Sequence, residues 1–325
     1  MQHTIARFHA MLEQKFEGHQ YGEHPKELYE PINYIMSLGG KRLRPILVML
    51  GYSLFKDDAE TIIDQAMAVE VFHNFTLMHD DIMDEAPIRR GKATVHEKWN
   101  HNTAILSGDV MLVKAYELLL GTPKKQLKPV LHLFNKTACE VCEGQQLDME
   151  FETRKKVTEE EYLEMIRLKT AVLLGMSLEF GAILAEASKE DVKALRVFGE
   201  NIGVGFQLKD DLLDVYADKE KFGKQVGGDI LSNKKTYLLI NAIEKSKGKQ
   251  KTELNKWLNA EMFKPEEKVA AVTGIYNDLG IKELTETKMN HYFETAFSQL
   301  KKVNCSLPQR AKLKEFAEAL IDRQK

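Results

Sequence analysis

Apolar side chains recur along most of this chain at intervals of three and four. Between residues 66 and 83, Met67, Val71, Phe75, Met78 and Ile82 share one helical face. The stretch from Tyr162 to Leu184 repeats the pattern through Leu163, Ile166, Ala171, Leu174, Leu178 and Ile183. Asn201 to Tyr216 continues it, although glycines and aspartates there are poor helix formers. No alternating run is long enough to build a sheet. Breaks fall at Gly18–Pro25, Gly39–Pro45, Asp84–Gly91, Gly121–Pro129, Asp218–Asn233 and Lys245–Lys251, and the chain has only 8 prolines. The last break, KSKGKQK, is the most linker-like, but a loop between two helices explains seven residues as well as a domain boundary does. The pattern predicts one all-α domain over residues 1–325, with about ten helices packed around a central apolar cavity or core.

Composition narrows the class without changing that picture. Of 325 residues, 43% are hydrophobic and 29% charged, as in ordinary globular proteins. Lysine and arginine number 46 against 49 aspartates and glutamates, a net charge of −3 that argues against a nucleic-acid binder. Three cysteines make no disulfide framework and fit a reducing compartment. The longest apolar stretch, Ile46 to Phe55, is interrupted by Gly51 and Ser53 and is too short to span a membrane. The first residues lack the apolar core and cleavage site of a secretory signal. A cytoplasmic protein without a membrane span is expected.

Two acidic motifs carry the strongest chemical signal: DDIMD at Asp80–Asp84 and DDLLD at Asp210–Asp214. On a helix, Asp80 sits one turn from Asp84, and Asp210 one turn from Asp214. Stacked carboxylates repel, so a partner must offset the cost. Magnesium does this directly, because it takes one or two carboxylates and completes its shell with phosphate and water. A solvated acidic face is the plain alternative, but each motif follows an apolar helical run, FTLMH before Asp80 and GFQLK before Asp210.

Cations suited to phosphate accompany the motifs. GGKRLRP places Lys41, Arg42 and Arg44 after a glycine pair, and Arg89 and Arg90 follow the first acidic motif within a few residues. Lys169 and Thr170 punctuate an apolar helix, while Lys224 and Lys234 flank the loop after the second motif. Arginine suits bidentate phosphate contact and lysine acts as a point charge. A substrate with a phosphate head and an apolar tail fits this inventory.

With GGKRLRP, HDDIMD, RRG followed by Thr94 and His96, LKT, GFQLKDDLLD, and the GK and NKK of the next loop in the same order, the sequence resembles the trans-isoprenyl diphosphate synthases. These are the farnesyl and geranylgeranyl diphosphate synthase, or polyprenyl synthetase, family. The resemblance implies the all-α isoprenoid synthase fold and a prenyltransferase. Such an enzyme joins isopentenyl diphosphate head-to-tail to dimethylallyl, geranyl or farnesyl diphosphate. It implies that Asp80 and Asp84 hold two magnesium ions and Asp210 a third, with Asp81 and Asp214 in support. Arg89, Lys169 and Lys224 would hold the allylic diphosphate. Lys41, Arg44, His73 and Arg90 would hold that of isopentenyl diphosphate. Thr170 and Gln207 would face the developing allylic cation, Phe206 would pack over the isopentenyl chain, and Lys234 would help close a lid. Arg323 and Lys325 look like the basic tail of some members, with one arginine replaced. A homodimer is implied as well.

Product length depends on how deep the pocket runs. By helical rise Phe75 lies roughly 7.5 Å and Phe72 roughly 12 Å from Asp80, so either ring could form a floor. The aromatic Phe75, small Thr76 and uninterrupted first motif resemble enzymes that make twenty-carbon geranylgeranyl diphosphate. Fifteen-carbon farnesyl diphosphate is the alternative, and a non-catalytic partner subunit the non-enzyme one. A terpene cyclase would lack the second aspartate motif and the basic isopentenyl site. Cys139 and Cys142, a single CxxC, read as packing residues and not as a zinc or redox site. Gln145, Gln146 and Asp148 either line the cavity or pair helices.

Overall fold

The computed structural model describes residues 2–217 and 227–321. The chain is almost wholly helical, as its periodicity predicts. In order come α1 (Gln2–Glu17), α2 (Lys26–Ser37), α3 (Leu43–Ser53), a 3-10 turn (Ala59–Ile62) and α4 (Ile63–Met83). A hairpin of β1 (Ile88–Arg89) and β2 (Lys92–Ala93) leads to α5 (Val95–Lys98), α6 (His101–Leu119), α7 (Lys124–Thr153) and α8 (Glu159–Ile166). A π-helical turn, Arg167–Ala171, joins α8 to α9 (Val172–Leu184), which precedes α10 (Lys189–Tyr216). Further helices occupy Gly228–Leu231, Tyr237–Lys245, Gly248–Leu258, Pro265–Asp278, Ile281–Lys302 and Leu307–Ile321. Helices outnumber the expected ten because several short ones fill regions that read as loops. The run KSKGKQK already starts a helix at Gly248, and Pro129 lies inside α7 rather than in the preceding break.

Local chemistry explains several starts. Asn100 accepts a hydrogen bond from the Thr103 amide at the head of α6, and Thr236 accepts one from the Leu239 amide. Thr158 and Glu161 form a reciprocal capping box on α8.

Contacts divide the chain into two compact units. The first contains residues 1–136, 176–196 and 303–315; the second contains 137–175, 197–302 and 316–325. Most divisions fall inside helices, in α7, α9 and α10, and not in linkers.

Within the first unit, α4 packs chiefly against α6 and α3. The sequence shows a single apolar face on α4, but Gln65 through Phe72 are all buried, so this segment is covered on every side. That explains why its pattern is less amphipathic than a surface helix. In the second unit, Phe151, Tyr162, Met165, Ile166, Val204, Leu208, Tyr237 and Ile240 form one core, and Leu212, Leu238, Leu254, Val272 and Tyr276 belong to another. The glycines of α10 are accommodated because a Cβ on Gly203 would lie 2.6 Å from the Ala171 backbone. Among the described residues, no helix is long and apolar enough to cross a membrane.

Candidate active site

The first unit assembles the acidic end of α4 with a cationic turn. Asp80 and Asp81 lie in its last turn, and Asp84 caps it through a backbone bond from the Asp84 amide to the Asp80 carbonyl at 2.8 Å. Asp84 is exposed and Asp80 partly so. Asp81 points the other way. It is buried, and the Arg89 Nε donates to its two carboxylate oxygens at 2.9 and 2.7 Å. A second arginine nitrogen reaches Oδ1 at 2.6 Å, so Asp81 fixes the direction of Arg89.

Arg89 is carried on the hairpin, whose register pairs Ile88 with Ala93 and Arg89 with Lys92. Its two-residue turn is Arg90-Gly91, at φ 52° and 76°. Positive φ at both positions matches a hairpin's twist. From that turn Arg90 donates Nη1 to the Gly39 carbonyl. Gly40 sits at φ 140°, a conformation strained for any residue with a side chain, and its bare backbone lies beside the Arg90 guanidinium.

Arg44 completes this cluster. Its Nη1 donates to His73 Nε2 at 2.9 Å, while its Nε is buried and has no partner among the described residues. Burial pushes the Arg44 guanidinium down to about 10, against the pull of Glu70. A half-buried cation with an unfilled donor is suited to an anion. Arg42 is different. Read with its neighbours as one cationic run, it is instead turned inward onto Glu13, Glu70 and the Met36 carbonyl, whereas Lys41 is exposed.

Burial first, and then the guanidinium groups of Arg44, Arg90, Arg89 and Arg42, hold the His73 imidazole well below its ordinary 6.5. The ring is neutral and its Nε2 accepts from Arg44. An unfolded chain takes up a proton below about pH 6.5 that the folded chain refuses. Stability therefore falls with decreasing pH below that value, by at most about 1.4 kcal/mol per unit, and gains nothing from this group above it. Urea unfolding at pH 7.5 and 5.5 should show a loss larger by about 1 kcal/mol in wild type than in His73→Gln. Equal losses would mean that His73 is charged when folded.

The second unit holds the other motif on α10. Asp210 is exposed, while Asp211 is buried and accepts from Tyr162 Oη and, at 3.4 Å, from Gln207 Nε2. Burial pushes the Asp211 carboxyl up to about 7, against the hydrogen bond from Tyr162. Asp214 Oδ2 accepts the Asp229 amide at 2.9 Å, tying α10 to the short helix Gly228–Leu231. Asp229 itself is pushed upward, by burial and then by Asp214 and Asp148, while Lys234 opposes the shift. The sequence reading missed Asp229. Its signal was the glycine pair Gly227-Gly228 before it, the same kind of turn that marks Lys41.

Lys169 and Thr170 lie in the π turn between α8 and α9. Such turns insert one extra residue per turn and are frequent at functional sites. Lys169 Nζ reaches Asp148 Oδ2 at 2.5 Å, so Asp148 pairs α7 with this turn. Gly144 lets them meet, because a Cβ there would be 2.2 Å from the Lys169 amide nitrogen. Gln145 is buried with neither end of its amide partnered among the described residues, while Gln146 bonds Glu150 on its own helix. Phe206 and Thr170 are partly exposed and Lys234 exposed. Lys224, Arg323 and Lys325 lie outside the described residues.

In each unit the donors of the motif suit magnesium. Asp80, Asp84 and Asp210 offer hard oxygen, and among the described residues no three His, Cys, Asp or Glu side chains converge into a closed cage. Magnesium bound through a carboxylate or two, with phosphate filling the shell, asks for no such cage. Cys139 and Cys142, read as packing residues, are both exposed on α7, where the helix turns them away from its buried positions Thr137, Val141 and Gly144.

Two helices ending in aspartate motifs, the first with arginines aimed beside it, define a helical prenyltransferase. Residues 25–276 match the polyprenyl synthetase family. The chain is 47% identical over 223 residues to the geranylgeranyl diphosphate synthase of Methanosarcina mazei, covering 68% of this chain and 69% of that one. It is 38% identical over 315 residues to the geranylgeranyl pyrophosphate synthase of Geoglobus acetivorans, 96% of each. A crystal structure of a geranylgeranyl pyrophosphate synthase superposes with a TM-score of 0.93 at 40% identity, over 99% of both chains. A polyprenyl synthase from Caulobacter crescentus, complexed with calcium and isoprenyl diphosphate, superposes at 0.82 with 26% identity, over 100% of this chain and 95% of that one. The chain belongs to the trans-isoprenyl diphosphate synthases, the polyprenyl synthetase family, which condense isopentenyl diphosphate with allylic diphosphates.

Proposed function

We propose that this enzyme makes geranylgeranyl diphosphate, with residues 1–325 acting as one catalytic domain. Asp80, Asp84 and Asp210 hold three magnesium ions on the allylic diphosphate, with Asp214 and Asp229 in support. Bound magnesium neutralises the charge that develops as the carbon–oxygen bond breaks. Arg89, aimed by Asp81, and Lys169, aimed by Asp148, hold the same diphosphate, as does Lys224. Lys41, Arg44, Arg90 and neutral His73 bind the isopentenyl diphosphate and keep its double bond in line with the allylic carbon. Thr170 and Gln207 turn oxygen toward the allylic cation, and Phe206 covers the isopentenyl chain. Lys234 closes the site against water, which would otherwise capture the cation.

The observation that carries the length assignment is the order of the rings on α4. Phe75 is partly exposed, while Phe72 behind it is 1% exposed and packs on Phe75 at 5.8 Å and on Phe134 at 4.9 Å. Phe75 is the first obstacle and Phe72 with Phe134 the second. Purified enzyme with magnesium, labelled isopentenyl diphosphate and each of dimethylallyl, geranyl and farnesyl diphosphate tests the reading. Product should accumulate at twenty carbons from all three primers. Arrest at fifteen would keep the reaction and move the floor upward; no elongation would indicate a silent partner subunit. Phe75→Ala should lengthen the product by about one isoprene unit, since one helical turn spans about 5.4 Å. An unchanged product would remove that ring from the floor.

A homodimer in the cytoplasm is part of the proposal. On α6 Leu106 and Val113, and at its C-cap Leu120, are 58%, 56% and 66% exposed at seven-residue spacing, with Ile105 beside the first. A heptad-spaced apolar stripe suits a second helix of the same kind.

A further inference from the structure

The first unit contains a cavity of about 650 Å³ apart from the residues assigned above. It is bounded by the start of α7, the end of α9 and the start of α10. Pro129, Ile183, Ala187 and Val192 supply an apolar wall. Four cationic and two acidic side chains also line it, a local excess of positive charge in a chain of net −3.

Those charges are unevenly matched. Arg196 pairs with Glu179 at 3.0 Å, and both are mostly covered, at 13% and 17% exposure. Lys125 pairs with Glu186 at the rim. Among the described residues, neither Lys189 nor Lys193 has an ion-pair or hydrogen-bond partner. Lys189, Lys193 and Arg196 follow one another at helical spacing, so like charges stack on one face of α10. Lys189 also opens that helix, where the macrodipole disfavours a cation. An anion at this face relieves both costs. Beside it, Gln126 is 7% exposed and its Oε1 is buried with no partner among the described residues. A cavity of this size, with an apolar wall on one side and charged groups along the other, can take a small molecule with an apolar part and a charged end.

We propose that this cavity binds a single-chain amphipathic anion, its head on Lys189 and Lys193 and its chain along Ile183, Val192 and Pro129. The shared chemistry is an anionic head on a flexible apolar tail. A prenyl diphosphate, the reaction's own product class, and a fatty carboxylate both supply it. No step of the reaction passes through this cavity, so binding here is independent of magnesium, in contrast to the aspartate site.

The test is calorimetric titration of the full chain in EDTA with farnesyl diphosphate, dodecanoate, inorganic diphosphate and farnesol. One metal-independent site is expected for an amphiphile, with inorganic diphosphate and farnesol at least tenfold weaker. A preference for farnesyl diphosphate assigns the site to the enzyme's own products; a preference for dodecanoate assigns it to fatty acyl anions. Lys193→Glu, an exposed change, and Ile183→Glu, in the wall, should each weaken binding at least tenfold. Both should leave turnover with magnesium unchanged at low substrate. Arg44→Gln should leave the metal-free binding intact. Absence of metal-free binding would overturn the proposal, as would binding that survives Lys193→Glu and disappears in Arg44→Gln.

Discussion

Replacing Asp80 or Asp210 by alanine is expected to lower turnover by about three orders of magnitude while leaving the fold intact, a transition-state loss of about 4 kcal/mol. Asp80 and Asp84 stand one turn apart at the end of α4, and Asp210 is exposed on α10. Each substitution deletes hard oxygen from the set that suits magnesium. Any change in stability should be small beside the loss of rate, because removing one of two stacked carboxylates relieves about 0.2 to 0.5 kcal/mol of repulsion and alanine is the better helix former. Single-turnover rates and thermal melts of the same preparations separate the two effects. A variant that keeps more than about a tenth of wild-type rate would overturn its metal assignment. Asp81→Ala should differ in kind, since it strips a buried anchor from Arg89 and lowers stability as well as rate.

The largest stability effect is expected at Arg42. Its side chain is 1% exposed, with Nε on Glu13 at 2.8 Å, Nη1 on Glu70 at 3.1 Å and Nη2 on the Met36 carbonyl at 3.0 Å. The guanidinium also lies 4.5 Å from the centre of the Phe16 ring. Glu70 is equally covered, with Asn74 as its other neighbour. Arg42→Ala leaves that carboxylate buried without its counter-ion, a loss of about 3 to 5 kcal/mol. Urea unfolding of the variant measures it directly. The double variant Arg42→Met/Glu70→Met should recover most of the loss, since well-packed apolar groups replace a buried ion pair at little cost. A loss below about 1 kcal/mol in the single variant would place Arg42 with the exposed phosphate-binding cations after all.

The contrast between Arg42 and Arg44 shows where sequence reading stopped. GGKRLRP announces cations beside a glycine turn, and the chemistry of the run is legible in it. Which cation faces inward is not. Arg42 adopts φ 45° at the head of α3, and that one backbone angle sends it toward Glu13 and Glu70 while Arg44 meets His73. Asp80 and Asp81 are the same residue at neighbouring positions, yet one is partly exposed and the other is buried against Arg89. Cys139 and Cys142 mislead for a related reason. Their residue type is commonly buried, but helical phase on α7 places them outward.

By itself the sequence determined the helical class, the one-turn spacing of the carboxylates and the family, because periodicity, side-chain chemistry and motif order are properties of neighbours along the chain. The tertiary structure decided which chemically equivalent groups are occupied. Asp148 became the partner of Lys169, Asp229 joined Asp214, and Lys189 and Lys193 were left beside an apolar cavity. Those outcomes depend on which distant segments come alongside one another and how much water they exclude. Burial and pairing over several ångströms set the energy of a charge far more than its place in the sequence does.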